Sequence, residues 1–106
     1  MYKGFTSEQD EALTIFQEEL LEAAHAISKI RRHGPDSTHP DGGETNLNMF
    51  RREFAQVMVM AVICGDLEAL PEAGPEFDVE KVLEEKINNL KRYSTLPHVV
   101  IDRVAL

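Results

Sequence analysis

The chain predicts an all-α fold, a small helical bundle. Apolar residues recur at helical spacing in three separate segments. Each segment opens on a capping residue and closes near glycine or a proline-containing stretch. No stretch alternates apolar and polar residues in the way a half-buried strand requires. A chain of 106 residues is one domain's worth, so a single helical domain over residues 1–106 is expected. A domain this small buries a modest core, which favours completion by a second copy.

The first helix is expected to start after Thr6 or Ser7. Thr6 and Gln9 have the spacing of a capping box, and Glu8, Asp10 and Glu11 suit the positive end of the helix dipole. Arg31-Arg32-His33-Gly34-Pro35 is a stop signal. Leu13, Phe16, Leu20, Ala24 and Ile27 form one stripe, the expected core face. GPDSTHPDGGETN, about residues 34–45, is a loop by composition, and loops of that length are often functional or mobile. The second helix is expected from Thr45 or Asn46 to about Cys64, with Gly65 as its stop. Phe50, Phe54, Val57, Ala61 and Cys64 share a face that Met58, Met60 and Val62 broaden, which predicts burial on more than one side. After a connection broken by Pro71, Gly74 and Pro75, Asp78 caps a third helix reaching about Tyr93. Its apolar face is Val79, Val82, Leu83, Ile87 and Leu90. The tail, about residues 95–106, reads equally as a short helix or an extended arm.

Composition removes several function classes. A net charge of -8 argues against nucleic-acid and anionic-membrane binding, both of which need a basic surface. The longest apolar stretch, residues 57–64, is too short to span a bilayer. The N-terminus lacks an apolar signal core, and the single cysteine, Cys64, excludes an internal disulfide; a cytoplasmic protein is expected. His33, Asp36, His39 and Asp41 match no structural zinc spacing. Neither a phosphate-binding glycine loop nor a nucleophile-elbow motif occurs.

The informative motif is Glu18-Glu19-Leu20-Leu21-Glu22. Residues three apart on a helix are neighbours, so Glu19 and Glu22 point the same way, beside Ile15, Ala23, Ala26 and Ile30. Carboxylates flanked by apolar groups repel one another and are poorly solvated. A hard cation relieves both problems, and oxygen ligands suit Mg²⁺ or Mn²⁺. An ordinary acidic helix surface is the alternative. On the second helix Glu53 flanks the apolar face, with Gln56 three residues on.

EELLEAAHAISKIRRHG, a loop, and then REFAQVMVMAV resemble the MazG-like nucleotide pyrophosphohydrolases, within the all-α NTP pyrophosphatase group. The family pattern is E-x-x-D on the second helix after E-E-x-x-E on the first, which often continues into Lys-x-x-Arg-x-Gly. Here the continuation is Lys29-Ile30-Arg31-Arg32-His33-Gly34, and the second motif reads Glu53-Phe54-Ala55-Gln56, with the Asp replaced. The likeness covers roughly residues 18–62, with a looser match over residues 86–93, and the loop between the motifs is long for the family.

The resemblance implies Mg²⁺-dependent hydrolysis of a nucleoside triphosphate to monophosphate and pyrophosphate, in a homodimer or homotetramer. It implies Glu19, Glu22 and Glu53 as catalytic metal ligands, with Gln56 and Glu18 as further or alternative ligands. Lys29, Arg32, Lys86 and Asn89 are the implied phosphate or substrate contacts, since a pyrophosphate group needs cations. Because Gln56 carries no charge, the alternative is a weakened or inactive relative that binds nucleotide or a protein partner. A helical interaction module without a small-molecule site is a third expectation.

Overall fold

A computed structural model describes residues 2–104 of the chain. Among them the fold is all-helical: α1 (Ser7–His33), α2 (Asn46–Asp66), α3 (Val79–Tyr93) and the short α4 (His98–Ile101). The chain divides into two compact units, Met1–Glu72 with α1 and α2, and Ala73–Leu106 with α3 and α4.

The caps form as the residue pattern predicts. Thr6 Oγ1 accepts from the Gln9 backbone at 3.1 Å while Gln9 Oε1 accepts from the Thr6 backbone at 2.9 Å, a complete capping box. Thr45 caps α2 through the Asn48 N–H and Asp78 caps α3 through the Lys81 N–H. Gly34, at φ 88°, lies in the region that side chains avoid, and its N–H closes α1 on the Ile30 carbonyl at 2.8 Å.

Helices α1 and α2 form an antiparallel pair. Ala12 clusters with Cys64, Glu22 meets Glu53, Ala26 and Met49 line one cavity, and Asn46 reaches Gly34, so one helix ascends as the other descends. Gln9 Nε2 donates to the Leu67 carbonyl at 2.8 Å and ties the start of α1 to the end of α2. The core is small: Ala12, Cys64 and Ala69, with Leu13, Phe16, Met60 and Leu67 packed against them. Burial holds the Cys64 thiol above its usual range, so it stays a neutral apolar filler.

Two expectations are corrected. The inward face of α1 runs through Ala12, Phe16, Glu19, Ala23, Ala26 and Ile30, not through the whole stripe ending at Ile27. Leu13 and Phe16 do pack inward, but Leu20 and Ile27 are about half exposed. On α2 the inward face is Asn46, Met49, Glu53, Val57, Met60 and Cys64, while Phe54, Met58 and Val62 face out, so burial on several sides does not occur within the described residues. The reason is size. Ala12, Ala23 and Ala26 let the two backbones approach, which the larger side chains of the neighbouring stripe would prevent. The second correction concerns the end of α2. Gly65 stays helical, and the chain turns at Glu68, whose φ of 58° is the left-handed value. The Ala69 and Leu70 N–H groups then both return to the Cys64 carbonyl, which tucks Ala69 into the core.

In the second unit, Lys91 pairs with Asp102 and the His98 ring lies 3.2 Å from the Lys91 carbonyl, so α4 is held to α3. The tail thus contains a helical turn; Ala105 and Leu106 lie outside the described residues.

The connection over residues 34–45 is a built structure. Asn46 is buried, and its Nδ2 donates to the Gly34 carbonyl at 3.2 Å while its backbone N–H bonds Ser37 at 2.9 Å. Leu47 bonds back to Pro35, and Thr38 bridges Thr45. Asn46→Ala removes the buried donor and leaves the Gly34 carbonyl unmatched. It is expected to cost about 1–2 kcal/mol in a urea unfolding curve; an unchanged midpoint would mean the connection is not anchored there.

Candidate metal centre

The middle of the α1–α2 contact is acidic. Glu19 and Glu22 lie one turn apart on α1, and Glu53 faces them from α2. One carboxylate oxygen from each lies within 4.8 Å of the others, with Glu19 and Glu53 half-buried and Glu22 exposed. An octahedral shell of oxygens about 2.1 Å from a Mg²⁺ ion has opposite ligands about 4.2 Å apart. Three ligands of one such ion include at least two adjacent pairs, about 3.0 Å apart, so the carboxylates become its ligands by side-chain movements on the order of 1–2 Å.

Gln56 belongs to the same cluster. With its amide nitrogen toward the carboxylates it donates to Glu19 Oε2 at 2.8 Å and to Glu53 Oε2 at 3.1 Å. Reversed, its carbonyl oxygen faces the same two oxygens, an arrangement that a cation between them makes favourable. The amide thus suits both conditions: it donates to the carboxylates without a cation and accepts one when a cation is present.

Glu22 holds its proton above the usual glutamate range. The first cause is a hydrogen bond shared with Glu53, the second is repulsion from that carboxylate, and the third is burial. Near the start of α2, Arg52 grips Glu44 through Nε at 3.2 Å and through a second guanidinium nitrogen, holding the Glu44 carboxyl below its usual range.

Of the other expected site residues, Glu18 is exposed and about 100° round the helix from Glu19. It stands outside the carboxylate cluster. Lys29 lines a cavity of about 180 Å³ beside the carboxylates, together with Glu22, His25, Ala26, Met49 and Glu53. Arg32 borders a larger cavity under residues 34–45. Lys86 and Asn89 are exposed on α3 of the second unit. His25 and Met49 were not among the expected site residues. The signal for them is present: His25 is three residues after Glu22, and Met49 is four before Glu53.

No family model, curated protein or solved structure matches this chain.

The raised Glu22 pKa has a signed consequence. The folded state binds the Glu22 proton more tightly than the unfolded state does. Stability from this group is full below the usual glutamate range and is lost as pH rises through the raised value. Glu22→Gln should therefore raise the melting temperature of EDTA-treated protein at neutral pH by a few degrees, with the gain vanishing at acidic pH. Adding Mg²⁺ should stabilise the wild type and do little for the variant. Equal melting temperatures at neutral pH would mean that the carboxylates do not strain one another.

Proposed function

We propose that this chain is a MazG-like, Mg²⁺-dependent nucleotide pyrophosphohydrolase. In this reading a nucleoside triphosphate is cleaved between its α- and β-phosphates to a monophosphate and pyrophosphate. The observation that carries it is the convergence of Glu19 and Glu22 with Glu53, from two helices, in the spacing the resemblance requires. Mn²⁺ would serve in place of Mg²⁺, since both are hard, oxygen-seeking cations.

The donor set fits such an ion: three carboxylates and one amide, all oxygen ligands, on rigid helices. When bound, the ion neutralises phosphate charge and acidifies water. The chain's own residues do the rest. Glu19, Glu22 and Glu53 would hold the cation, which would supply charge for the anionic end of the substrate, and Lys29 and Arg32 offer the cationic contacts that phosphate oxygens need. A carboxylate oxygen facing the cavity takes the proton of the attacking water, whose oxygen bonds the α-phosphorus as pyrophosphate leaves.

A second reading rests on Gln56. Its amide stands where the family pattern has a carboxylate, and it eases the repulsion in the cluster by donating to Glu19 and Glu53 without adding charge. This favours weaker metal affinity and slower turnover, or nucleotide binding without turnover. Affinity of such sites rises with the number of charged ligands.

The active form is proposed to be a homodimer or homotetramer in the cytoplasm. Each helix of the pair carries a second apolar stripe: Leu20 and Ile27 on α1, and Phe54, Met58 and Val62 on α2, all 45% exposed or more. Two such hairpins bury these stripes as a four-helix bundle. Light scattering should give at least twice the chain mass, and Val62→Lys should lower it to one chain. A wild-type monomer would remove this part of the proposal.

The catalytic test is incubation with a panel of canonical and modified nucleoside triphosphates plus Mg²⁺ or Mn²⁺. Monophosphate and pyrophosphate should appear in equal amounts, and Glu53→Gln should lower kcat/KM by about 100-fold or more. Gln56→Asp should raise metal affinity and turnover by about tenfold. Folded protein inactive in both wild-type and Gln56→Asp forms would overturn the hydrolase reading.

A further inference from the structure

We infer that the connection over residues 34–45 forms a recognition pocket for the nucleoside part of the substrate, continuous with the carboxylate cluster. The inference rests on the nucleotide reading above and adds where the base and sugar are read.

The cavity under this connection has a volume of about 650 Å³, within the range of small-molecule sites. Its walls include Lys29, Arg32, Thr38, His39, Pro40 and Met49. Lys29 and Met49 are also walls of the smaller cavity against Glu22 and Glu53, so the two spaces adjoin. Lys29 lies two helical turns beyond Glu22, about 10 Å along α1. A ligand whose anionic end lies at the carboxylates extends past Lys29 into the larger space.

The chemistry of the walls changes in the same direction. Carboxylates stand at one end, fit for a chelated cation. Lys29 and Arg32 follow, fit for phosphate. Beyond them come the Thr38 hydroxyl and the Pro40 ring, with Glu44 at the far wall already paired to Arg52, while the Met49 thioether stands where the two cavities meet. His39 adds an imidazole whose Nδ1 accepts from the Asp41 N–H at 3.2 Å, leaving Nε2 as the nitrogen available to a ligand. Flat apolar surface with a few polar atoms suits a nucleobase and sugar, and a phosphate gains little there.

The pocket is held in shape before any ligand arrives. Asn46 fastens its start to α2, the Thr38–Thr45 bridge closes its neck, and the Arg52–Glu44 pair fixes its far end. At the tip the Gly42 N–H bonds the His39 carbonyl at 2.8 Å, with Gly42 and Gly43 at φ 90° and 108°. Such pre-organisation reduces the ordering cost of binding.

The test is NMR of the full chain with ¹³C-labelled methionine methyls and ¹⁵N-labelled backbone, without metal. Nucleoside 5′-monophosphates of each base are the probes, and ribose 5-phosphate is the base-free control. At least one monophosphate should shift Thr38, His39, Gly42 and the Met49 methyl, binding at least tenfold tighter than ribose 5-phosphate. Thr38→Phe, which fills the pocket, should abolish those shifts while Mn²⁺ binding at the carboxylates persists. Glu53→Gln should do the reverse. Shifts confined to Lys29 and Arg32, or equal binding of ribose 5-phosphate, would overturn the pocket even if triphosphates are hydrolysed. If triphosphates are not hydrolysed but the loop signals respond to the base, the pocket stands and the hydrolase reading falls. The wild-type titration decides the matter should Thr38→Phe not fold.

Discussion

The structure of the first unit depends on one constraint: the shared inward face of α1 and α2 is apolar at one end and acidic in the middle. Ala12, Cys64 and Ala69 close the helices at the apolar end, and Gln9 clasps the Leu67 carbonyl beside them. Asn46 clasps Gly34 at the opposite end. Between these fastenings, Glu19, Glu22 and Glu53 are carried toward one another by backbones that cannot separate. Carboxylates free to choose would turn to water. Here they are held close enough that Glu53 raises the Glu22 carboxyl above its usual range. Folding energy from the two ends thus holds repelling charges together, the arrangement on which the proposed cation site rests.

Gln56 moderates that strain. A carboxylate at this position would add a fourth charge to the cluster. The amide instead donates to two of the three present. In the absence of a cation this relieves repulsion; in its presence the amide offers a neutral oxygen. An amide here favours stability of the cluster without a cation. The amide thereby helps three carboxylates to be tolerated at the contact of two helices with so small a core.

Much of this was legible in the residues. Capping residues at Thr6, Thr45 and Asp78 located the helix starts, because capping is a local interaction with a local signature. The i, i+3 spacing of Glu19 and Glu22 placed both on one face for the same reason. The choice of core face was less legible. The stripes through Leu20 and through Ala23 have the same period, and hydrophobicity alone favours the larger residues. What decides is close approach of two backbones, a property of the helix pair that neither helix carries by itself. The connection over residues 34–45 reads as a loop, but its folding is not legible there, since it depends on Asn46 and Arg52 meeting groups that the folded structure brings near. The exposed apolar stripes on α1 and α2 read as core for a related reason: periodicity reports which residues share a face, and says nothing of whether this chain or another copy covers it.

The central claim is that carboxylates from two helices close on one cation, and anomalous scattering from a Mn²⁺-soaked crystal addresses it most directly. A single strong peak is predicted between α1 and α2, with oxygens of Glu19, Glu22 and Glu53 at about 2.0–2.3 Å and the Gln56 carbonyl turned toward it. A peak held by one helix alone, or none between them while the side chains keep their direct Glu22–Glu53 contact, would contradict it.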